Sequence, residues 1–425
     1  MTNNKVAVIF YYNKYNKNSI NALAAALEDL LEYPYVYFSS DLLQITSIIK
    51  ELLNNKHKIV LALSCLITQY AEVKLIISSI RSTFKDEKNL LIILGGHLVS
   101  GAPVLMQHIV ADLFAIGEAE DSFYNLVYNL IYDKNIYDIP GIAFFNKNEL
   151  HYKPRLFQLD INKYKPFSDK FKKFGPIEIT RGCAYSCYFC QTSYLFKNCI
   201  RHRSIDNICK YAKILINNNL MDIRFISSNA FLYDSADGKS INITALEELL
   251  SNLKSELGGK RNLYLGSFPS EVRPEHVTEE TMALIKKYAK NDNIIIGAQT
   301  GSEKLLKKCN RKHTVNDIYN AVILANKFNI RANVDFIFGL PSEDDDDIKA
   351  NFKVMHDLIN LGAKIHAHIF IPLPATPFWK MESSVISKDL IKRLEYMTSK
   401  GHIYGQWRKQ IKIREDIIKE MRTAK

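Results

Sequence analysis

The first third of the chain alternates between two hydrophobic periods. Val6–Tyr11 is a near-unbroken apolar run, and Ile20–Leu31 then places Ala22, Leu23, Ala26, Leu27 and Leu30 at helical spacing. The alternation continues with a strand at Tyr35–Phe38, a helix at Leu42–Leu53 and a strand at Ile59–Leu63. A helix follows from about Tyr70 to Ile80, then a strand at Leu90–Leu94 that ends in Gly95-Gly96. A short helix near Leu105, a strand at Leu113–Ile116 and a helix at Phe123–Tyr132 close the series. Apolar strands between helices with one apolar face predict a parallel sheet covered on both sides. In such sheets ligands sit beyond the carboxyl ends of the strands. Pro140, Pro154 and Pro166 punctuate a stretch from Gly141 to about Lys173 that reads as a hairpin and connector.

A second series begins at Pro176. Ile177–Thr180 is a short strand, and strand-like runs recur at Ile223–Ile226, Leu263–Leu265, Ile294–Ile296, Val334–Phe338 and Ile365–Phe370. The clearest helix between them is Ile241–Leu257, with Leu246, Leu249, Leu250, Leu253 and Leu257 in one stripe and Gly258-Gly259 as its stop. Others are expected at Met282–Tyr288, Val315–Phe328 and Ile348–Leu361, and two polar helices near Lys388–Met397 and Arg408–Arg422. The expected class is therefore α/β. An N-terminal Rossmann-like parallel sheet spans 1–140 and a hairpin and linker 141–174. A partial six-stranded (β/α) barrel spans 175–380, and a short helical extension 381–425.

Composition changes this picture little. The 425 residues are 47% hydrophobic and 24% charged, which suits a folded protein. The net charge of +11 is spread along the chain, so it reads as solvated basic surface rather than a nucleic-acid track. No secretory signal pattern or membrane-length apolar run is seen, and a cytoplasmic protein without a membrane partner is expected. Seven cysteines are too few and too uneven for a disulfide scaffold.

Three of those cysteines demand local chemistry. Cys183, Cys187 and Cys190 lie in the run RGCAYSCYFCQ at spacing C-x3-C-x2-C, on the loop that leaves the Ile177–Thr180 strand. Zinc and iron–sulfur clusters both take cysteine thiolates. A zinc site needs a fourth ligand, for which Cys199, Cys209 and His202 are the candidates. A cubane held by three cysteines instead leaves one iron for an exogenous ligand.

The motif, with Phe189 just before its third cysteine, resembles that of the radical S-adenosylmethionine superfamily. The resemblance implies a [4Fe-4S] cluster on Cys183, Cys187 and Cys190, with S-adenosyl-L-methionine chelating the open iron and yielding a 5′-deoxyadenosyl radical on one-electron cleavage. It extends over about 175–380. The segment Phe225–Phe231, carrying Ser228 and Asn229, resembles the part that receives the methionyl amino group. Ser227-Ser228 stands where the family has a glycine pair. Ser270 and Arg273 fall in the segment that handles ribose and methionyl carboxylate, and Gln299 at the fourth strand's end. Ile337, in Val334–Glu343, corresponds to the strand beside adenine, with Glu343 bracing its turn. Asp335 alternates toward the barrel interior and needs a bonding partner there. Asp344–Asp347 read as the solvated start of a helix. His366 and His368 share one face of the last strand with Phe370, as substrate-cavity groups or a packed pair.

The front segment resembles the cobalamin-binding-like domain that precedes some members of the superfamily. The match rests on Leu63–Thr68, Leu94–His97 and Ala111–Glu120. The D-x-H-x-x-G stretch that ligates cobalt is absent after the first strand, where the chain reads Tyr11–Asn18, so cobalamin is left open. The layout resembles an archaeal group of such enzymes, and differs from tRNA methylthiotransferases, which place a second three-cysteine site in front. What is implied is an anaerobic enzyme of unidentified substrate, working by cobalamin-dependent methyl transfer or by rearrangement or cyclisation without cobalamin. A reducing donor such as ferredoxin or flavodoxin is implied, and nucleic acid is not expected as a partner. The competing reading is a zinc-organised RNA-binding protein.

Overall fold

The structure is a computed structural model that describes residues 4–32, 35–258 and 261–423. Gly259, part of the expected helix stop, lies outside the described residues. Contacts divide the chain into two compact units, residues 1–175 and 176–425.

The first unit is built on one sheet. Its strands are β1 (Val6–Tyr11), β2 (Val36–Ser39), β3 (Lys58–Ser64), β4 (Leu90–Gly95), β5 (Leu113–Ala115), β6 (Ile142–Asn146) and β7 (Glu149–Tyr152). Their spatial order is β2-β1-β3-β4-β5-β6-β7. The first five are parallel, and the hairpin β6–β7 adds two antiparallel strands, so the sheet is mixed rather than wholly parallel. All six residues of β1 are buried, which is why its sequence shows no alternation. The first helix, Lys17–Ala26, stops short of the apolar run that predicts it, and it buries Ile20 and Ala24 rather than Ala22 and Leu23. Four alanines in five positions leave no polar face from which to read the buried side. The connector is tied to this unit through the buried carboxylate of Glu28. It accepts from Ser168 Oγ at 2.7 Å and the Lys170 backbone at 3.2 Å, and pairs with Lys165.

The second unit is a partial barrel. After β8 (Ile177–Glu178), the antiparallel pair β9 (Thr180–Arg181) and β10 (Arg201–His202) frames the cysteine loop. Then come β11 (Asp222–Ile226), β12 (Asn262–Tyr264), β13 (Asn293–Gln299), β14 (Arg331–Phe338), β15 (Lys364–Ile369) and β16 (Ile403–Tyr404). The parallel runs β8-β11-β12 and β13-β14-β15-β16 meet around Val272, whose N–H donates to Ile295 O at 2.8 Å. The leucine stripe of helix Ile243–Leu257 is buried as its spacing dictates, and Gly258 closes the helix in the left-handed region. The extension carries helices Lys388–Ser399 and Trp407–Thr423, but also β16, a seventh parallel strand. Two residues of strand give no periodicity, so the sequence pattern shows only the helices. Among the described residues, no helix is long and apolar enough to cross a membrane.

Candidate active site

The cysteine loop leaves the barrel at Gly182, whose φ of 92° and 1.8 Å approach of a Cβ to Cys199 O exclude any other residue there. Buried Cys187 packs with Tyr185 and Leu232, and part-accessible Cys183 and Cys190 join the same cluster with Phe189 and Ile241. All three are free thiols. Burial pushes the Cys190 thiol up to about 11, so metal binding must draw off its proton.

Two buried guanidinium groups meet at Cys187. Arg273 Nη1 lies 3.8 Å and Arg311 Nη1 3.6 Å from its Sγ. Arg273 is stacked 3.6 Å over the Tyr185 ring and donates through Nε to Glu275, while Arg311 donates to Gly297 O. Arg273 Nη2 and Arg311 Nε are buried without a hydrogen-bond partner, as are Glu275 Oε2 and His313 Nδ1. Burial and then the two guanidinium groups push His313 down to about 2, so it stays neutral. Three thiols on one tight loop, with orphaned cationic N–H groups beside them, fit a thiolate-held cluster together with an anionic ligand.

The sequence-predicted residues do not all meet there. Phe189 packs both with the cysteines and with Ile337, in a cluster with Cys309, Leu340, Phe370 and Phe378. Ser228 Oγ donates to Gly182 O at 2.6 Å, next to Cys183. Asn229 is buried, its Nδ2 2.6 Å from His276 Nδ1 and its Oδ1 accepting from Phe231 N. Ser270 donates to Ser267 O at 3.1 Å and caps its own turn. Gln299 is buried at φ 74°, at the register shift between β13 and β14. The turn after it is locked by Asn351, which accepts from Thr300 Oγ1 at 2.7 Å and Gly301 N at 2.6 Å. Asn351 also donates to Glu343 at 3.1 Å, and Glu343 accepts the Gly339 N–H, so this carboxylate braces the glycine turn. Burial pushes Glu343 up to about 7. The aspartate run is not wholly solvated: Asp347 is buried and accepts from Ser302 Oγ at 2.6 Å.

The proposed fourth zinc ligands have other neighbours. His202 Nδ1 lies 3.0 Å from Thr180 Oγ1, Cys199 Sγ faces Ile200 O at 3.9 Å, and Cys209 is buried on helix Ile205–Asn217. Six residues of this region are not singled out by the sequence pattern: Glu271, Glu275, His276, Cys309, Arg311 and His313. Burial, then the like charge of Asp335, pushes Glu271 up to about 7. Cys309 is buried, and its carbonyl accepts the Tyr188 N–H at 3.0 Å. No spacing ties Cys309 or Arg311 to the cysteine motif; the run Cys309–His313 after a short helix is the one local signal.

In the first unit, the three quoted segments meet at the carboxyl edge of the sheet. Ser64 pairs in register with Gly95, Cys65 N donates to Gly95 O at 2.9 Å, and Leu98 N to Cys65 O at 3.1 Å. Ser100 Oγ accepts the Gly117 N–H at 2.8 Å. A Cβ on Gly96 would lie 2.7 Å from both Cys65 N and O, so that glycine serves the chain's own loop packing. Gln69, just beyond, is buried with neither amide atom hydrogen-bonded.

Residues 177–355 match the model of the Radical SAM superfamily. That segment, with the cysteine loop it contains, is a radical-SAM enzymatic domain, and its family implies an iron–sulfur cluster and S-adenosylmethionine. The chain's fold is that of TsrM, a radical S-adenosylmethionine methyltransferase from Kitasatospora setae solved with cobalamin and a [4Fe-4S] cluster. The TM-score is 0.68 at 16% identity, over 89% of this chain and 74% of that one. OxsB, a cobalamin-dependent S-adenosylmethionine radical enzyme, superposes with a TM-score of 0.64 at 18% identity, over 83% of this chain and 52% of that one. In sequence, an uncharacterized protein of Methanocaldococcus jannaschii is 26% identical over 372 residues, 75% of this chain and 72% of that protein.

A tRNA-2-methylthio-N(6)-dimethylallyladenosine synthase of Thermosipho africanus is also 26% identical, over 347 residues, 81% of this chain and 74% of the synthase. Further synthases of that name are similar over 47% to 62% of the chain. This overturns the expectation that nucleic acid is not a partner. The missing front cysteines set the chain apart from that family at one site, but the similarity runs well beyond the superfamily segment.

Proposed function

We propose that this chain binds a [4Fe-4S] cluster through Cys183, Cys187 and Cys190, and S-adenosyl-L-methionine beside it. The observation that carries the reading is the pair of buried guanidinium groups converging on Cys187, each with an N–H left unpartnered. The cluster, when bound, supplies the electron that cleaves the sulfonium of the cosubstrate. The chain's own groups do the rest. Arg273 and Arg311 direct N–H groups at a thiolate sulfur and offset its charge in a dry setting. Phe189 and Ile337 give apolar cover suited to an adenine ring, and Ser228, Asn229, Ser270 and Gln299 line the polar side of the same reading. Because Ser228 donates to the Gly182 carbonyl and Ser270 to a carbonyl of its own turn, their lone pairs are what they offer a cosubstrate N–H or hydroxyl.

The front unit is proposed as a corrinoid-binding domain without a histidine ligand, on the fold shared with TsrM and OxsB and the unpaired Gln69 amide at the sheet edge. Methyl transfer to an inert carbon is the reaction this pairing supports best. The assignment to an archaeal group is supported by the similarity to the Methanocaldococcus protein. The substrate class includes nucleic acid, given the tRNA-modifying relatives. An oxygen-labile cluster and seven free cysteines suit a reducing cytoplasm.

Anaerobic purification and reconstitution with iron and sulfide tests the reading. About four irons, a reduced-cluster electron-resonance signal that changes on adding S-adenosylmethionine, and 5′-deoxyadenosine formed with reductant are expected. A colourless zinc protein, or no nucleoside at verified cluster loading, overturns it. Titration with hydroxocobalamin tests the front unit separately, by the shift of its visible bands; no binding at saturation removes the methyl-transfer version.

A further inference from the structure

Within the barrel, three donor atoms converge that the cysteine site does not use. Strand register sets Asp335 of β14 opposite His366 of β15 and Ile337 opposite His368, so the two imidazoles share a face beside the carboxylate. The atoms concerned are Asp335 Oδ1, His366 Nδ1 and His368 Nε2. They form a triangle with sides of 3.0 Å, 3.1 Å and 3.8 Å. Its centre lies about 2 Å from each corner, the length of a bond from nitrogen or oxygen to a divalent transition ion. Among the described residues, these three form the group of metal-ligating side chains whose ligand atoms all lie within 4.8 Å of one another.

Protons alone bridge at most two sides of this triangle. A ring nitrogen carries either one hydrogen or one lone pair. With His366 Nδ1 bare, its lone pair faces the carboxylate at 3.0 Å. With it protonated, a hydrogen on His368 Nε2 meets it head on, and a bare Nε2 leaves the 3.8 Å side with lone pairs on both atoms. A proton on His366 Nδ1 with Nε2 bare serves the two short sides and leaves the 3.8 Å side unbridged, whereas a cation at the centre would be shared by all three donor atoms.

The surroundings build the site further. Tyr404 of β16 stacks on His366 at 4.5 Å and 4° between planes, and a Cβ on Gly405 would come within 2.9 Å of that ring. Gln410 Oε1 accepts the Ile369 N–H at 2.8 Å, and its Nε2 lies 3.5 Å from His368 Nδ1. The two histidine side chains are each 28% exposed, which gives an ion a way in.

We propose that Asp335, His366 and His368 form a mononuclear site for a divalent transition cation, a two-histidine, one-carboxylate face with its remaining positions open for a substrate oxygen or nitrogen. The site stands independently of the cluster and of the radical chemistry.

The test is a cobalt(II) titration of the full chain carrying Cys183→Ala, Cys187→Ala and Cys190→Ala, which removes the competing thiolates. One equivalent should bind with weak visible bands and no thiolate charge transfer, and should raise the melting temperature. Adding His366→Gln, His368→Gln or Asp335→Asn singly should weaken binding about a hundredfold or more, since even outer-shell changes cost up to that. Melting of each variant without metal checks that it is folded. The cluster-loaded wild-type chain gives a second assay, loss of the free manganese(II) resonance signal, abolished by His368→Gln. A folded chain that binds neither ion, or binding untouched by His366→Gln and His368→Gln, overturns the proposal.

Discussion

The two units both present loops at the carboxyl edge of a parallel sheet, and the two edges are finished differently. In the front unit the loops of Cys65, Gly96 and Gly117 bond to one another through backbone groups and the Ser100 hydroxyl. In the barrel the corresponding edge gathers two guanidinium groups, two carboxylates and a neutral histidine, several with an unpartnered buried atom. The front unit's loop groups are satisfied without a ligand, and the group left unpaired beside them is the neutral Gln69 amide. A charged, under-satisfied edge is held by the surrounding fold and gains its missing partners when a ligand arrives.

The largest test of this contrast is Arg311→Met. It leaves Gly297 O and the charge of Glu271 without their cation, and about 3 kcal/mol of stability should be lost. A melting temperature unchanged by this variant would mean the barrel edge does not depend on its charges. Next is Gly96→Ala in the front unit. It meets Cys65 at 2.7 Å with φ at 99°, and about 2 kcal/mol should be lost by denaturant titration. If the variant is neutral, that edge is looser than its packing indicates.

The third concerns pH. Glu271 and Glu343 are both raised to about 7, above their value in an unfolded chain, so the folded state keeps its protons longer. Their contribution is full below about pH 4.5 and is lost as pH rises toward about 7. Glu271→Gln should therefore flatten the fall in melting temperature across that window; an unchanged slope would place the titration elsewhere. The smallest effect is expected from Gln69→Leu. With neither amide atom bonded, its removal should leave stability within about 1 kcal/mol of the parent, or slightly above it. The same variant should weaken hydroxocobalamin binding, and equal affinity would show that Gln69 does not face the ligand.

How much was legible follows from the range of the forces involved. The leucine stripe of Ile243–Leu257 and the buried strands were readable because burial imposes a period on neighbouring residues. The helix Lys17–Ala26 was misjudged in length and face because alanine fits either side. Arg311 was invisible, since it lies over a hundred residues from Cys187 and is matched to it only by the closing of the barrel. Tyr404 and β16 were missed for the same reason: a two-residue strand has no pattern of its own until β15 supplies its partner.

By itself, the sequence determined the class of chemistry: three thiols within eight residues on a strand-to-loop exit are a local arrangement, set by covalent spacing. It also placed His366 and His368 on one face, because side chains two apart on a strand point the same way. Only the tertiary structure decided which charges stand against Cys187, which carboxylate completes the histidine pair, and which edge is left with unpaired charged groups. Those contacts join residues far apart in the chain, and their energies depend on burial and distance, which exist only once the sheets have closed.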